Sequence, residues 1–271
     1  MSVLDVVAIV AAGFAAGTIN TIVGSGSLIT FPALLFLGYP PLTANVSNNI
    51  GLVPGGVSGS YGYRHELAER SPTLRRLAPL SFFGSLVGAL LLLVLPPEAF
   101  QAIVPVLIVV ALVLVLVGPW LQRRAAERNP DEAQPSWHAW ALRIGIFVAG
   151  AYGGYFGAAQ GVLLMGIFSA LSAEPLQRLN AYKNVLSSIV NAVAAVTFIL
   201  FARGSIDWWV VLFIAVGSFL GGLVGARIGR RIAPPACGAS GVQERPHSRH
   251  GPRRPGRAPS LRGRCCGSSR F

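Results

Sequence analysis

Polar side chains set inside long apolar runs are the residues of this chain whose types and spacing could do chemistry. A first group, Asn20, Thr21, Ser25 and Ser27, surrounds the glycine-rich stretch Gly24-Ser25-Gly26-Ser27. Interrupting a helix there frees backbone N–H and C=O groups, which must line a cavity or find partners. The N-terminal end of the arm that begins near Leu28 could hold an anion through its free N–H groups, and the competing reading is a tight turn with no ligand. A second group, Asn45, Ser47, Asn48 and Asn49, opens the next segment. Asn45 and Asn49 are four residues apart and share a helical face that continues through Gly56 and Gly59. A third group is Asn180, Lys183, Asn184, Ser187, Ser188 and Asn191, in which Lys183, Ser187 and Asn191 fall at i, i+4 and i+8. Such amides either replace part of a substrate's hydration shell or hydrogen-bond between helices. Lys183 either supplies positive potential to a pathway or snorkels toward head groups beside Arg178.

Enzymatic constellations are missing from the sequence. There is neither an H-E-x-x-H pattern nor a P-loop, and no acidic pair lies inside an apolar run. His65, His138, His247 and His250 fall in polar connections or the tail, and Cys237, Cys265 and Cys266 lie only in the tail. These features predict a protein that is not an enzyme, with no metal site and no cofactor. Asp207, just before Trp208-Trp209, suits the start of a helix at an interface.

The elements that must position these residues are membrane helices. Hydrophobic residues make up 53% of the 271 and charged residues 12%, too few charges to cover a soluble domain of this size. The apolar residues form blocks at Leu77–Leu95, Phe100–Leu121, Leu142–Ala170, Val185–Ala202 and Trp208–Ile228, each near or above the ~20 residues that span a bilayer core. The first segment, Val3–Val23, has no basic region before it and reads as a retained helix rather than a signal peptide. The runs are apolar on every face, which excludes a β-barrel. Gly13 and Gly17, Gly84 and Gly88, and Gly217, Gly221, Gly225 and Gly229 repeat every fourth residue, so they predict close helix packing. The expected fold is therefore an all-α, polytopic helical integral membrane protein. Of the net charge of +12, +7 comes from residues 236–271, with eight Arg against one Glu, and the remaining Arg residues cluster in connections. Nucleic acid is not an expected partner; the bilayer is.

Laid on itself with an offset of 137, the chain matches Ala12, Gly13, Gly17, Gly24, Phe31, Ala33, Leu34, Leu42 and Ala44 to Ala149, Gly150, Gly154, Gly161, Phe168, Ala170, Leu171, Leu179 and Ala181. We therefore expect a first membrane repeat over 1–122, a polar loop over 123–136, a second and incomplete repeat over 137–235, and a basic disordered tail over 236–271. Val3–Leu37 is too long for one straight span and is interrupted at Gly24, Gly26 and Pro32, with Gly161 marking the counterpart break. It is either one kinked helix or a hairpin. Two hairpins put every Arg-rich connection on one side except Arg203, the better fit to the positive-inside rule. They also make the halves inverted repeats. After Pro234-Pro235 the apolar helix that follows Pro96-Pro97 has no counterpart. The tail is either a basic lipid-binding segment or the product of a frame shift near Ala236, and the abruptness of the switch favours the frame shift.

The run from Gly17 to Leu34, with Gly38-Tyr39-Pro40-Pro41-Leu42-Thr43-Ala44-Asn45 and Leu179-Asn180-Ala181-Tyr182-Lys183-Asn184-Val185, resembles the signatures of the sulfite exporter TauE/SafE family of membrane permeases. The resemblance covers about residues 3–235. It implies a permease that moves sulfite, a sulfonate or a related small organic anion across the cytoplasmic membrane. With no ATP-binding element, transport is expected to be secondary or passive. Candidate pathway residues are Asn20, Ser25, Ser27, Asn45, Asn48, Asn49, Lys183, Asn184 and Asn191. The Arg-rich connections and tail are expected in the cytosol, and a homo-oligomer is compatible with the pattern. The rival expectation is a non-transporting scaffold or accessory subunit of a membrane complex.

Overall fold

The computed structural model describes residues 2–67, 72–126, 136–172 and 174–232. The tail expected over 236–271, with its three cysteines, lies outside them, as do residues 127–135 of the polar loop.

The described residues are helical throughout, with no strand among them. The elements are α1 (Val3–Ile22), α2 (Ser27–Phe36), α3 (Pro41–Gly62), α4 (Pro72–Val94), α5 (Pro97–Ala126), α6 (Ser136–Tyr155), α7 (Gln160–Leu171), α8 (Leu176–Phe201) and α9 (Trp208–Ile232). A 3-10 turn at Arg203–Ser205 joins α8 to α9. Five of these, α1, α4, α5, α8 and α9, are long and apolar enough to cross a membrane. Exposed Val, Leu and Trp side chains cover their outer faces, as in Val106, Leu116, Leu200 and Trp209. An all-helical chain with apolar flanks satisfies its backbone within each span, which hydrocarbon demands. This is a multi-pass membrane protein.

Glycine seams hold the helices in two groups. An added methyl on Gly217, Gly221 or Gly225 of α9 would strike the carbonyl oxygen of Val10, Phe14 or Thr18 on α1. The matching positions on α1, Gly13 and Gly17, lie against Ile214 and Ser218. Thr18 Oγ1 uses this closeness to donate to the Gly221 carbonyl at 3.1 Å. Gly229, the last rung of the ladder, faces the Tyr63 hydroxyl as well as Ile22 of α1. In the other group Gly84 and Gly88 of α4 meet Phe147 and Ala151 of α6, while Gly150 and Gly154 meet Ser81 and Ser85.

These contacts fix helix directions. Residue numbers rise together along α1 and α9, along α3 and α9 (Gly51 near Ile214, Gly55 near Ser218, Gly62 near Ala226), and along α4 and α6. α8 runs against α3, because Ser188 meets Gly56 whereas Asn180 Nδ2 donates to the Tyr63 hydroxyl at 2.8 Å. The ends of α3 and α9 and the beginnings of α6 and α8 thus share one face of the bundle. Leu67, Leu74, Leu77 and Leu179, in one apolar cluster, bring the start of α4 to the same face. Arg64, Arg75, Arg76, Arg178, Arg230 and Arg231 gather there, and Arg203 lies at the opposite end.

Both expected breaks reverse the chain. Gly26 comes back against Ala16 and Asn20, so α2 returns along α1. Ile167 comes back against Gly145, so α7 returns along α6 and the apolar block 142–170 is two helices rather than one. α1 and α6 start from opposite ends of the bundle, and their tips meet: Gly161 N donates to the Gly24 carbonyl at 3.0 Å. Two expected break residues do not act as such. Pro32 sits inside a continuous α2; it removes one backbone bond from a ten-residue helix that packing holds in place. Gly161 is the second residue of α7, and its bare Cα is needed for the close approach to Gly24. The second reversal is made by Gly157 (φ 75°) and Ala159 (φ 58°).

Since helix association in lipid rests on close packing, Gly88→Val should separate α4 from α6 and cost about 2 kcal/mol or more. Gly204→Ala, where nothing lies within 4 Å, should stay within about 0.5 kcal/mol. Thermal unfolding in detergent, followed by size-exclusion chromatography, compares them; equal midpoints would remove the seam from the account.

Candidate functional site

Helix α1 ends at Ile22, with Thr21 buried among other helices, and its last carbonyls have no intrahelical donor. Lys183 supplies what is missing. Its Nζ donates to the carbonyl oxygens of Asn20 at 3.1 Å and Thr21 at 3.0 Å, and Asn184 Nδ2 adds a bond to Thr21 at 3.3 Å. Lys183 is 0% exposed, so snorkelling toward head groups is ruled out. Held away from the surface, the amine takes the two carbonyls as acceptors, at the negative end of the α1 dipole.

The second hairpin is treated in the same way from the other half of the chain. Asn45 Nδ2, on α3, donates at 3.0 Å to the carbonyl of Tyr155, the last residue of α6. Each hairpin tip is therefore capped by the helix that follows the other hairpin. The entries into those two capping helices are also alike: Pro40 precedes α3 at φ −57°, ψ 142°, and Pro175 precedes α8 at φ −57°, ψ 141°. Tyr152 Oη closes the second tip locally by donating to the Ala158 carbonyl at 2.7 Å. Phe31 of α2 meets Phe156 edge-on at 5.1 Å between centroids, and Phe156 meets Phe100 of α5 at 6.3 Å. These aromatics fasten the two hairpins together beside the Gly24–Gly161 contact.

Around the tips the sequence-nominated residues divide. Ser25 and Ser27 are buried in the first turn, where the Ser25 carbonyl accepts from Leu28 N. Asn20 contributes its carbonyl rather than its amide, and its side chain is half-buried. Thr30 Oγ1 donates to Asn48 Oδ1 and so joins α2 to α3. Asn49 lies against Gly157 of the second tip. Asn191 is buried two turns beyond Lys183 on α8 and takes no part in the capping bonds. Asp207 caps α9 as expected, its Oδ1 accepting from Trp209 N at 3.0 Å and Val210 N at 3.1 Å.

Gln160 was not among the expected site residues. It is 3% exposed, begins α7, and folds its amide over Gly153, where a Cβ would strike it. The available signal was a lone amide in the middle of an apolar block. No group of three or more His, Cys, Asp or Glu able to hold a metal occurs among the described residues.

A polytopic helical bundle with two hairpins meeting inside it defines a class of membrane protein, and the comparisons narrow it. The profile of the family described as Sulfite exporter TauE/SafE matches residues 9–237; the chain belongs to that family. It is 31% identical over 221 residues to the Probable membrane transporter protein ORF9 of a Sinorhizobium species, covering 80% of each chain. It is 30% identical over 227 residues to a Probable membrane transporter protein of Haemophilus influenzae, covering 83% of this chain and 86% of the relative. To the Probable membrane transporter protein YfcA of Escherichia coli K12 it is 28% identical over 217 residues, covering 79% and 76%. No solved structure matches.

Replacing Lys183 by Met keeps the volume and removes the donor. Leaving the Asn20 and Thr21 carbonyls buried without it should cost about 1–3 kcal/mol, read as a lower unfolding midpoint in detergent. Lys183→Arg, which keeps donors, should lose less; equal loss for both would assign the effect to packing.

Proposed function

We propose that this chain is a membrane permease for a small anion, sulfite, a sulfonate or a related organic anion, moving it across the cytoplasmic membrane by a secondary or passive mechanism. The observation that carries the reading is the tip-to-tip meeting of two helix hairpins inside the bundle. α2 and α7 both begin there, so the positive ends of two helix dipoles point at one region. Short broken helices at such a place are the arrangement by which secondary transporters hold ions and substrates near the midplane. The capping of α1 and α6 cancels the negative ends of those helices locally, through Lys183, Asn184 and Asn45. The net effect favours an anion. The family description and the relatives' names, which speak of a sulfite exporter and of probable membrane transporters, support the same reading.

In this reading Asn20, Ser25, Ser27, Asn45, Asn48, Asn49, Lys183 and Asn184 surround the pathway. The nine positions from Ala12 to Ala44 that recur at an offset of 137 are the trace of inverted repeats in this reading, and the two halves pack as one unit. The Arg-bearing face of the bundle is cytosolic by the positive-inside rule.

Purified full-length chain in proteoliposomes should take up sulfite with saturation, and Asn49→Leu should reduce the rate at least tenfold while the protein remains folded. Absence of saturable uptake of sulfite, methanesulfonate and sulfoacetate alike would sink the proposal. The orientation has its own check. A single cysteine at Gly204, in a background lacking the three native ones, should react with an impermeant maleimide in right-side-out vesicles only. One at Arg64 should react in inverted vesicles only.

A further inference from the structure

The two hairpin tips differ in what they leave unsatisfied. At the first, Lys183 and Asn184 take up the freed carbonyls, and no side-chain atom from Asn20 to Ser27 is both fully buried and without a partner. At the second, three buried amide atoms have no hydrogen-bond partner among the described residues: Asn49 Nδ2, Gln160 Nε2 and Asn45 Oδ1. All three residues are at least nine-tenths buried, at 2%, 3% and 0% exposure. They converge on one stretch of backbone. Asn45 is bonded to the Tyr155 carbonyl, Asn49 lies against Gly157, and Gln160 folds over Gly153, whose carbonyl itself borders Gly157. Glycine at 153 and 157 is what makes room for the amides. Ala159 is held at φ 58° beside them, so the chain accepts strain at this spot.

Buried polar groups are nearly always paired; three orphans around one turn, in a family of permeases, mark a place built for a ligand. Their chemistry says which ligand. Asn49 and Gln160 can each donate N–H, and the N-terminal end of α7 adds to the positive potential. Asn45 offers an acceptor, because its Nδ2 is held on the Tyr155 carbonyl, the amide therefore cannot flip, and Oδ1 is the atom left without a partner. Two unpartnered donors and one unpartnered acceptor around the same turn match an oxyanion that still carries a proton.

We propose that the second tip is the substrate-binding site, with Gln160 and Asn49 donating to the oxygens of a small oxyanion and Asn45 Oδ1 accepting its proton. The permease thus takes the singly charged acid form, such as hydrogen sulfite, in preference to the dianion or to a sulfonate without an acidic proton. This rests on the anion-permease reading and assigns a substrate form and a specificity residue to it. Taking one charge rather than two into a site of neutral amides also limits the desolvation cost.

The titratable groups facing this place are few. α6 brings Tyr152, bonded to the Ala158 carbonyl, and Tyr155, whose hydroxyl is also buried without a partner among the described residues. Asp207, ahead of α9, lies one step away, its N donating to Ser47 Oγ at 3.0 Å while its carboxylate caps α9. α8 brings Lys183 at the neighbouring tip. α1, α2, α3 and α7 present none there, and Glu98 of α5 is exposed at the far end of its helix.

Binding of sulfite and of methanesulfonate to the full-length chain, measured calorimetrically in detergent from pH 6 to pH 9, tests this. Methanesulfonate does not titrate in that range, so its profile reports the protein's own groups. Sulfite should bind at least tenfold tighter than methanesulfonate at pH 6, with the ratio falling as sulfite loses its second proton. Gln160→Leu and Asn49→Leu should weaken both ligands tenfold or more, whereas Gln160→Glu should abolish binding by placing a carboxylate in the site. A sulfite-to-methanesulfonate ratio that is flat with pH overturns the protonated form. Unchanged affinity in folded Gln160→Leu overturns the site while leaving the permease reading intact. Wild-type protein that neither binds nor transports any of these anions overturns the permease reading and this inference together.

Discussion

A helix that stops inside a membrane leaves carbonyl oxygens and amide hydrogens with nothing to bond, and in hydrocarbon each such group costs several kcal/mol. This chain ends two helices against other helices, at Ile22 and Tyr155, and the rest of the bundle can be understood from how those ends are satisfied. α1 is closed by an amine and an amide from α8; α6 is closed by an amide from α3. Lys183 reaches two carbonyls at once because its long stem ends in three rotatable donors, whereas Asn45 reaches one. Neither capping helix belongs to the hairpin it caps.

That exchange ties sequence-distant parts into one cooperative unit. A hairpin tip cannot shift alone, because its backbone bonds lead into the helix after the opposite hairpin. The Gly24–Gly161 contact and the Phe31–Phe156–Phe100 stack reinforce the same junction. Close approach of backbones at the junction is possible only without side chains, which is the reason for glycine at both positions. Away from the junction, the glycine seams between α1 and α9 and between α4 and α6 let each hairpin's long arm lie directly on a spanning helix. Packing of this kind is the main force available in lipid, where burial of apolar surface offers little.

Much of the architecture was legible along the chain. Long apolar runs identify the spanning helices, four-residue glycine spacing identifies the seams, and the one-sided distribution of arginine selects hairpins over kinked spans. The buried asparagines were also legible, since an amide in an apolar run must have a partner or a ligand. The role of each was not. Lys183 near Arg178 reads equally well as a snorkelling side chain, and only the position of the α1 terminus opposite it shows what its amine does. Pro32 reads as a breaker, yet α2 runs through it, because tertiary packing outweighs the loss of one backbone bond. Gln160 was passed over, since one polar residue among apolar neighbours carries no periodic pattern.

By itself, the sequence determined that this is a multi-pass helical membrane protein, where its helices are interrupted, and which family it resembles. These are local properties, set by hydropathy over ~20 residues and by the backbone freedom of glycine. Tertiary structure alone decided that the two tips meet, that each is capped from the opposite half, and that Asn45, Asn49 and Gln160 gather at one turn. Those relations join residues more than a hundred positions apart, and nothing in local periodicity encodes which freed carbonyl a distant donor will find.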